Sequence, residues 1–231
     1  MSEDAGPRHR TIRSFVRRTG RLTPSQAKAL EELWPRFGIE PAPGALDIDS
    51  LFDRRAPTVL EIGFGSGDSL VEQAAAHPDW NFIGVEVHEP GVGHCLLCIR
   101  DRELSNLRLI RQDAIEVLER QLPAHSLERI NLYFPDPWPK KRHHKRRILT
   151  APFLDLCGRA LRAGGTLHIA TDWADYALHI DELMADNRAF QCRETREHSG
   201  EAPLDRPRTR FEERGLRHGH RIRDWIFVSG K

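Results

Sequence analysis

The chain has 231 residues, 39% of them hydrophobic and 30% charged, which fits one sizeable hydrophobic core and argues against a disordered or fibrous chain. No apolar run approaches the ~18 residues that span a bilayer, and the N-terminus lacks the apolar stretch of a secretory signal. We therefore expect a cytoplasmic protein without membrane contact. The four cysteines are too scattered for a disulfide framework, and the single Cys-x-x-Cys pair, Cys95 and Cys98, has no second pair to complete a zinc site. We expect no metal.

The net charge is only +1, but the charges are unevenly distributed along the chain. Residues 1–25 carry +4, residues 140–147 carry +6 and residues 206–223 carry +5, which leaves −14 on the remainder. Three concentrated basic segments on an acidic body indicate a protein with one face directed at a polyanion. Each segment taken alone could also be a solvated charge cluster.

The N-terminal part, residues 1–55, is predicted to form a basic arm, a short helix and a linker. The helix begins within "TPSQ", with Thr23 as the N-cap and Pro24 at the first helical position. The following stretch, residues 38–57, is rich in Pro, Gly and Asp, as expected of a linker.

Residues 56–231 are predicted to form one α/β domain in which strands and helices alternate. Apolar strand patterns separated by helix patterns require crossover connections, hence a doubly wound, mainly parallel sheet. The final "RDWIFVSG" could add an antiparallel strand. The predicted strands are 58–64, 81–87, 107–114, 128–134 and 165–171, and the predicted helices are 68–78, 91–104, 114–122, 148–161 and 174–187.

A glycine-rich turn, "EIGFGSGDS", follows the first predicted strand, where open α/β sheets bind ligands. Its glycines, which include Gly63, allow a tight turn and close approach of a ligand. The dinucleotide fingerprint requires Gly or Ala at its sixth position, where this chain has Asp68. Glu61 would repel a pyrophosphate but suits the cationic amino acid portion of S-adenosylmethionine. The turn therefore favours S-adenosylmethionine over NAD.

Two further carboxylates follow the next two strands. Glu86, in "GVEVHE", lies where it can accept hydrogen bonds from both ribose hydroxyls, and Asp113, in "RQDA", lies where it can meet an adenine amino group. Either residue alone could be an exposed loop residue. Three carboxylates at successive strand ends together predict an S-adenosylmethionine pocket.

The stretch "FPDPWPKKRHHKRR" follows the strand 128–134 and reaches the same edge of the sheet. Pro135 and Pro137 restrict the backbone, so Asp136 is predicted to lie on a stiff corner. Trp138 offers a flat face for a base, and the basic run beyond it offers phosphate contacts. A solvated or localisation-type cluster would explain the basic run but not the corner before it.

These motifs resemble those of the bacterial tRNA (guanine-N7)-methyltransferases. The shared blocks are "EIGFGSG", "GVEVHEPGVG", "FPDPWPKKRHHKRR", "HIATDW" and "RPRTRFEERGLRHGH", and the resemblance runs from "RSFVRRTGRLTPSQ" to "DWIFV". The resemblance implies a Rossmann-like S-adenosylmethionine-dependent methyltransferase that forms 7-methylguanosine in the variable loop of tRNA. It also implies that no obligate protein partner is needed.

The resemblance assigns roles residue by residue. Asp136 would be the catalytic residue, and Asp172 is a second candidate for stabilising charge on the base. Arg210 stands where the family usually has Lys, so the geometry of that contact changes from a point charge to a planar fork. The cofactor site would comprise Glu61, Gly63, Glu86, Asp113 and Asp136. The substrate site would comprise Lys140, Asp172, Thr209, Arg210, Phe211 and Glu212.

Three other functions are compatible with parts of the sequence. A methyltransferase of the same fold acting on a small molecule or a protein would leave the basic segments without a role. An RNA-binding module without catalysis would not need the intact set of carboxylates. An NAD-linked oxidoreductase is disfavoured by Asp68 in the glycine turn.

Overall fold

The computed structural model describes residues 20–41 and 44–230. Most of the predicted basic arm lies in residues 1–19, outside this range. Within the described chain, eight strands form one sheet with the order β1-β4-β3-β2-β5-β6-β8-β7. The strands are β1 (Gly38–Ile39), β2 (Thr58–Ile62), β3 (Asn81–Val85), β4 (Leu107–Ile110), β5 (Leu127–Tyr133), β6 (Leu161–Thr171), β7 (Phe190–His198) and β8 (Ile222–Ser229).

The sheet is parallel from β1 through β6, which confirms the predicted doubly wound architecture. The C-terminal β8 runs antiparallel to β6, as predicted, and pairs on its other side with β7. The edge strand β7 was not predicted. Its residues between Phe190 and His198 are exposed and mostly polar, so they carry no alternating apolar signal.

Helices cover both faces of the sheet. Alternate residues of each strand point into two separate cores: Val59 of β2 joins one and Leu60 the other, and Phe82 and Ile83 of β3 divide in the same way. The described helices are α1 (Pro24–Glu32), α2 (Trp34–Phe37), α3 (Ile48–Phe52), α4 (Asp68–Ala76), α5 (Glu89–Asp101), α6 (Ala114–Arg120), α7 (Ala151–Ala160), α8 (Ala174–Ala185) and α9 (Arg210–Arg217), with a 3-10 helix over Lys141–Arg146.

The N-terminal segment is part of this fold. Thr23 caps α1 through a capping box with Gln26, and Pro24 is the first helical residue, as predicted. The stretch predicted as a linker differs from expectation, because it contains α3 and the edge strand β1, which pairs with β4. The pairing of Gly38 with Leu109 was not foreseen, since two residues are too short for a sequence pattern.

The chain order reverses across β2, since β3 and β4 lie on one side of it and β5 and β6 on the other. Such a switch point leaves a crevice at the carboxyl ends of the strands. The glycine turn after β2 and the Pro-Asp-Pro corner after β5 therefore meet at one edge. No helix in the described part of the chain is long and apolar enough to cross a membrane.

Candidate active site

The glycine turn connects β2 to α4 and depends on its glycines. Gly63, Gly65 and Gly67 have φ angles of +71°, +60° and +82°, a region that L-residues with a side chain rarely adopt. A Cβ on Gly67 would lie 2.5 Å from Cys95 Sγ, and a Cβ on Gly91 would lie 2.0 Å from the carbonyl oxygen of Gly65. The turn is therefore packed closely against α5, and Gly91 supports it from there.

Two cavities lie on either side of this turn. The Glu61 cavity has a volume of about 380 Å³ and the Glu86 cavity one of about 210 Å³. Among the residues lining the first are Gln26, Glu61, Asp68, His88 and His94, and among those lining the second are Glu86, Gln112, Asp136 and Ile148. The residues shared by both are Gly63, Gly65, Tyr133, Phe134 and Phe211.

Glu61 is a buried carboxylate at the end of β2, only 3% exposed. Burial raises the pKa of Glu61. Hydrogen bonds with Gln73 and Asn131 lower it, but burial has the larger effect, and the pKa is raised to about 7. The Nε2 of Gln73 donates to Glu61 Oε2 over 2.9 Å, and Asn131 in turn donates to Gln73 Oε1 over 3.0 Å. A cationic group in the cavity would supply the positive partner that these amides cannot.

Glu86 organises the backbone around the second cavity. Its Oε2 accepts a hydrogen bond from the Gly65 amide at 2.9 Å, and its Oε1 accepts from the amides of Val87 and His88 at 2.7 and 2.9 Å. One carboxylate thus ties the glycine turn to the end of β3. Because a carboxylate has about four lone-pair sites, Glu86 can still accept from a ligand hydroxyl.

Asp113 is placed differently from the other two predicted carboxylates. It is the N-cap of α6, and its Oδ1 accepts from the Ile115 amide at 3.0 Å. Its neighbours Gln112 and Ala114 line the Glu86 cavity, whereas Asp113 does not. Asp113 therefore fixes the rim of the cavity in this structure.

The Pro-Asp-Pro corner brings Asp136 to the Glu86 cavity. Asp136 is exposed and lies between two non-glycine residues with positive φ, Phe134 at 51° and Trp138 at 48°. Strained backbone of this kind clusters at functional sites. Beyond the corner, Lys140 is exposed at the start of the 3-10 helix that the basic run forms.

The segment "TRFE" begins α9 and spans the front of both cavities. Thr209 caps the helix by accepting from the Glu212 amide at 3.1 Å. Arg210 pairs with Asp68, and Phe211, 54% exposed, lines both cavities. Glu212 instead turns away and is fully buried, where its Oε2 accepts from Arg206 at 2.5 Å. In this structure Glu212 supports α9 from behind and does not face either cavity.

Arg206 is the centre of a buried polar network. Its guanidinium donates to both oxygens of Asp224 on β8, at 2.5 and 3.0 Å, as well as to Glu212. It also lies over the rings of Tyr133 and Phe134, 5.4 and 5.3 Å from their centroids. Burial lowers the pKa of Arg206, but the two carboxylates more than offset this and raise it above its ordinary value. The network therefore joins α9, β8 and the end of β5.

Asp172 is separate from the two cavities. Its Oδ2 lies 2.9 Å from His220 Nδ1. The Asp172 side chain also packs against α9, since a Cβ added to Gly215 would lie only 2.7 Å from Asp172 Oδ2. It lines a third cavity of about 490 Å³. The structure thus brings Asp136, Glu86 and Phe211 to one cavity, whereas Asp172 lines neither that cavity nor the Glu61 cavity.

Several residues with a role at the site had no recognisable signal in the sequence. Gln73 and Asn131, which hold Glu61, are a helix residue and a strand residue of ordinary type. Arg206 stands among other arginines. The spacing Thr209-x-x-Glu212 is a helix-start signature, and it could have shown that this segment caps a helix.

One group of possible metal ligands occurs within the described residues. Asp68, His94 and Cys98 have ligand atoms within 4.8 Å of one another. However, Asp68 is already paired with Arg210 and accepts from Ser66 Oγ, and His94 Nδ1 lies 2.9 Å from the Ser66 carbonyl oxygen. We assign no metal to this group.

The sequence of the chain assigns it to the methyltransferases, and solved methyltransferases share its fold. A family model described as "Putative methyltransferase" matches residues 55–225. Two solved structures share the fold: TrmN from Thermus thermophilus (21% identical, TM-score 0.55, 78% of this chain and 46% of that one) and the antibiotic-resistance methyltransferase Kmr (19%, 0.54, 79% and 91%).

The particular family follows from close relatives. A tRNA (guanine-N(7)-)-methyltransferase of Halorhodospira halophila is 54% identical over 94% of this chain and 95% of its own length. The protein of the same name from Sodalis glossinidius is 51% identical over 98% of this chain and 95% of its own length. The chain belongs to the tRNA (guanine-N7)-methyltransferase family.

Proposed function

We propose that this protein transfers a methyl group from S-adenosylmethionine to N7 of a guanosine in the variable loop of tRNA. The observation that carries the proposal is that Asp136 lines the same cavity as Glu86 and Gly63, with the exposed cations Lys140, Lys141, Arg142 and Lys145 immediately beyond it. Membership of the family supports this acceptor over a small molecule or a protein.

The residues of the two cavities suit S-adenosylmethionine. Glu61 offers a buried carboxylate to the ammonium of the amino acid portion, and Glu86 offers an acceptor to the ribose hydroxyls. Gly63 permits close approach at the turn between them. Asp113 would act from the rim, by fixing the backbone that faces the adenine. When bound, S-adenosylmethionine supplies an electrophilic methyl group.

Guanine N7 has a free lone pair and no proton, so the acceptor needs no general base. Positioning of the two substrates therefore supplies most of the acceleration. Methylation leaves positive charge on the imidazole ring, and the Asp136 carboxylate would stabilise that charge as it develops. Asp136 is the better candidate than Asp172, because only Asp136 lines the cofactor cavities.

The tRNA would contact the surface formed by the basic run and the start of α9. N7 faces the major groove, which is deep and narrow in A-form RNA, so the enzyme must meet a loop or an opened helix. Lys140 and Arg210 are exposed and offer phosphate contacts, and Phe211 offers an aromatic face. Thr209 and Glu212 would hold these two side chains in place through the cap of α9 and its buried ion pair.

We further propose that the chain divides into an N-terminal segment of residues 1–55, with a basic arm and a short helix, and a catalytic domain of residues 56–231; β1 and α3 occupy the stretch of the first segment that was expected to be a linker. The protein would act in the cytoplasm, without an obligate protein partner. Purified protein that binds tRNA only when a second polypeptide is added would contradict the last point.

The test is methyl transfer from labelled S-adenosylmethionine to bulk unmodified tRNA, followed by digestion to nucleosides. Labelled 7-methylguanosine is the expected product. Label in another nucleoside would move the acceptor atom, and no label in RNA despite cofactor binding would overturn the proposed acceptor.

A further inference from the structure

The last residue of the basic run, Arg147, differs from the exposed lysines before it. Lys140, Lys141 and Lys145 are exposed, whereas the side chain of Arg147 is only 3% exposed. It therefore departs from the expectation that the whole run contacts phosphate. A buried arginine within a run of solvated cations requires a partner inside the protein.

The side chain of Arg147 has four partners at once, one of which is the His144 ring, whose Nε2 lies 3.2 Å from the Arg147 NH2 group. Its Nε donates to the carbonyl oxygen of Pro137 at 3.0 Å, and its NH2 group donates to Asp175 in the first turn of α8. Its guanidinium carbon lies 4.7 Å from the ring centroid of Tyr176, which is fully buried. A planar guanidinium can satisfy a carbonyl, a carboxylate and an aromatic face together, which a lysine ammonium cannot.

The carbonyl that Arg147 binds belongs to the residue immediately after Asp136. The two prolines of the corner have no amide hydrogen, so they cannot anchor it through backbone donors. At its entry, the corner is anchored by the Phe134 amide, which donates to the Ala170 carbonyl of β6 at 2.8 Å. At its exit, the anchor is Arg147. Asp136 thus lies between a hydrogen bond to the sheet and a hydrogen bond to a buried cation.

The conformation of the corner makes such anchors necessary. Phe134 and Trp138 both have positive φ, which a non-glycine residue keeps only where the surroundings determine it. Arg147 helps to hold the corner in this conformation, because it binds the Pro137 carbonyl and is itself fixed by Asp175 and Tyr176. Loss of the anchor would let the corner relax and move the Asp136 carboxylate.

We propose that Arg147 is a positioning residue that sets the place of the Asp136 carboxylate, and that it does not contact tRNA. This inference rests on the proposed methyl transfer to tRNA. It separates the basic run into solvated cations that bind the substrate and one buried cation that holds the corner.

The test compares two variants of Arg147 with Lys145→Ala, a variant of an exposed residue of the same run. Arg147→Lys keeps the charge but cannot reproduce the planar contacts, and it should lower kcat at least tenfold and leave the KM for tRNA within about twofold. Arg147→Gln removes one charge, as Lys145→Ala does, yet it should leave the KM for tRNA and the salt dependence of binding within about twofold. Lys145→Ala should raise KM and flatten the salt dependence, with little change in kcat. If Arg147→Gln raised KM and flattened the salt dependence in the manner of Lys145→Ala, Arg147 would be a phosphate contact and the inference would be wrong.

A double-mutant cycle with Asp136→Asn tests whether Arg147 acts through Asp136. In the Asp136→Asn background, Arg147→Lys should change kcat less than twofold, because its effect is already lost. Effects that simply multiply would overturn the proposal. If Arg147→Lys does not fold, Asp175→Asn takes its place in both comparisons. The Asp175 side chain is 59% exposed, so its replacement is tolerated more easily, and the change removes the carboxylate that fixes Arg147.

Activity of the wild-type protein distinguishes failure of the Arg147 inference from failure of the proposed function. Turnover of tRNA by the wild type with additive effects in the cycle would reject only the role of Arg147. Absence of wild-type turnover would reject the proposed function, and the inference with it.

Discussion

Arg210 on α9 forms an ion pair with Asp68 at the start of α4, with 3.0 Å between Nε and Oδ2, and both residues line the Glu61 cavity. The pair joins the segment proposed to bind tRNA to the glycine turn proposed to bind the cofactor. In this pair the Arg210 guanidinium is already bound to a carboxylate, so it is less available to a phosphate of the substrate.

Replacement of Asp68 by Ala should free Arg210 for the substrate. Since both side chains are well exposed, the pair contributes little to folding, and we expect a change in unfolding free energy within about 0.5 kcal/mol. The KM for tRNA should fall by roughly two- to fivefold, equivalent to 0.5–1 kcal/mol. Steady-state kinetics would measure this. Arg55→Ala, which removes an exposed pair with Asp49, is the control and should leave KM unchanged. A rise in KM on Asp68→Ala would show that Asp68 helps substrate binding.

The raised pKa of Glu61 predicts a pH dependence of cofactor binding. Burial raises this pKa to about 7, so the carboxylate that would pair with an ammonium is lost as the pH falls below that value. The affinity for S-adenosylmethionine should fall between pH 8 and pH 6. Glu61→Gln should weaken binding about ten- to hundredfold at pH 8 and remove the pH dependence. Calorimetric titration across this range would measure both effects. An equally steep pH dependence in Glu61→Gln would place the titrating group elsewhere.

The same pKa predicts a stability effect in the free protein. The folded value of about 7 lies above the ordinary value of 4.5, so the folded state binds more protons and loses stability as the pH rises from 4.5 to 7. Glu61→Gln should therefore stabilise the free protein at pH 8, by roughly 3 kcal/mol at most, and less at pH 5. Urea unfolding at the two pH values measures this. Glu72→Gln, a change at an exposed residue of α4, is the control and should change neither value.

Asp136→Asn keeps the size of the side chain and removes its charge. If the carboxylate stabilises positive charge on the methylated ring, kcat should fall roughly hundredfold, while the affinity for the cofactor changes by only a few-fold. Single-turnover measurements isolate the chemical step. Turnover near that of the wild type would mean that Asp136 acts by position and not by charge.

Arg206→Met should destabilise the protein strongly. It leaves Asp224 and Glu212 buried without their cation, and the loss of one member of a buried pair costs about 3–5 kcal/mol. Although burial raises the pKa of Asp224, hydrogen bonds from His168 and Arg206 bring it below its ordinary value. In the variant, protonation relieves the unpaired charge, so the difference from wild type should shrink as the pH falls from 7 to 5. Arg162→Met, which breaks a partly exposed pair with Glu128, should cost under about 1 kcal/mol.

The sequence predicted the sheet because its strands are apolar runs that helices separate. It also placed Glu61, Glu86 and the Pro-Asp-Pro corner at one edge of the sheet, because all three lie at the carboxyl ends of parallel strands. The edge strand β7 escaped prediction because a polar, two-sided exposed strand has no periodicity.

The direction in which a charged side chain points was not predictable. Arg147 and Lys145 belong to one basic run, yet only Arg147 is buried. Glu212 and Arg210 belong to one short motif, yet they face opposite sides of α9. These differences depend on Asp175, Arg206 and Asp224, which come from distant parts of the chain. Only the folded arrangement distinguishes residues that meet a substrate from residues that hold others in place.

In the proposed reaction the nucleophile is N7 of a guanosine in tRNA. The most direct measurement is transfer of labelled methyl to two tRNA transcripts, one with guanosine and one with 7-deazaguanosine, in which a carbon replaces that nitrogen. We expect label in the first transcript only, with both transcripts binding the enzyme equally. Label of equal amount in the 7-deaza transcript would contradict the claim, because the methyl group would then have gone to another atom.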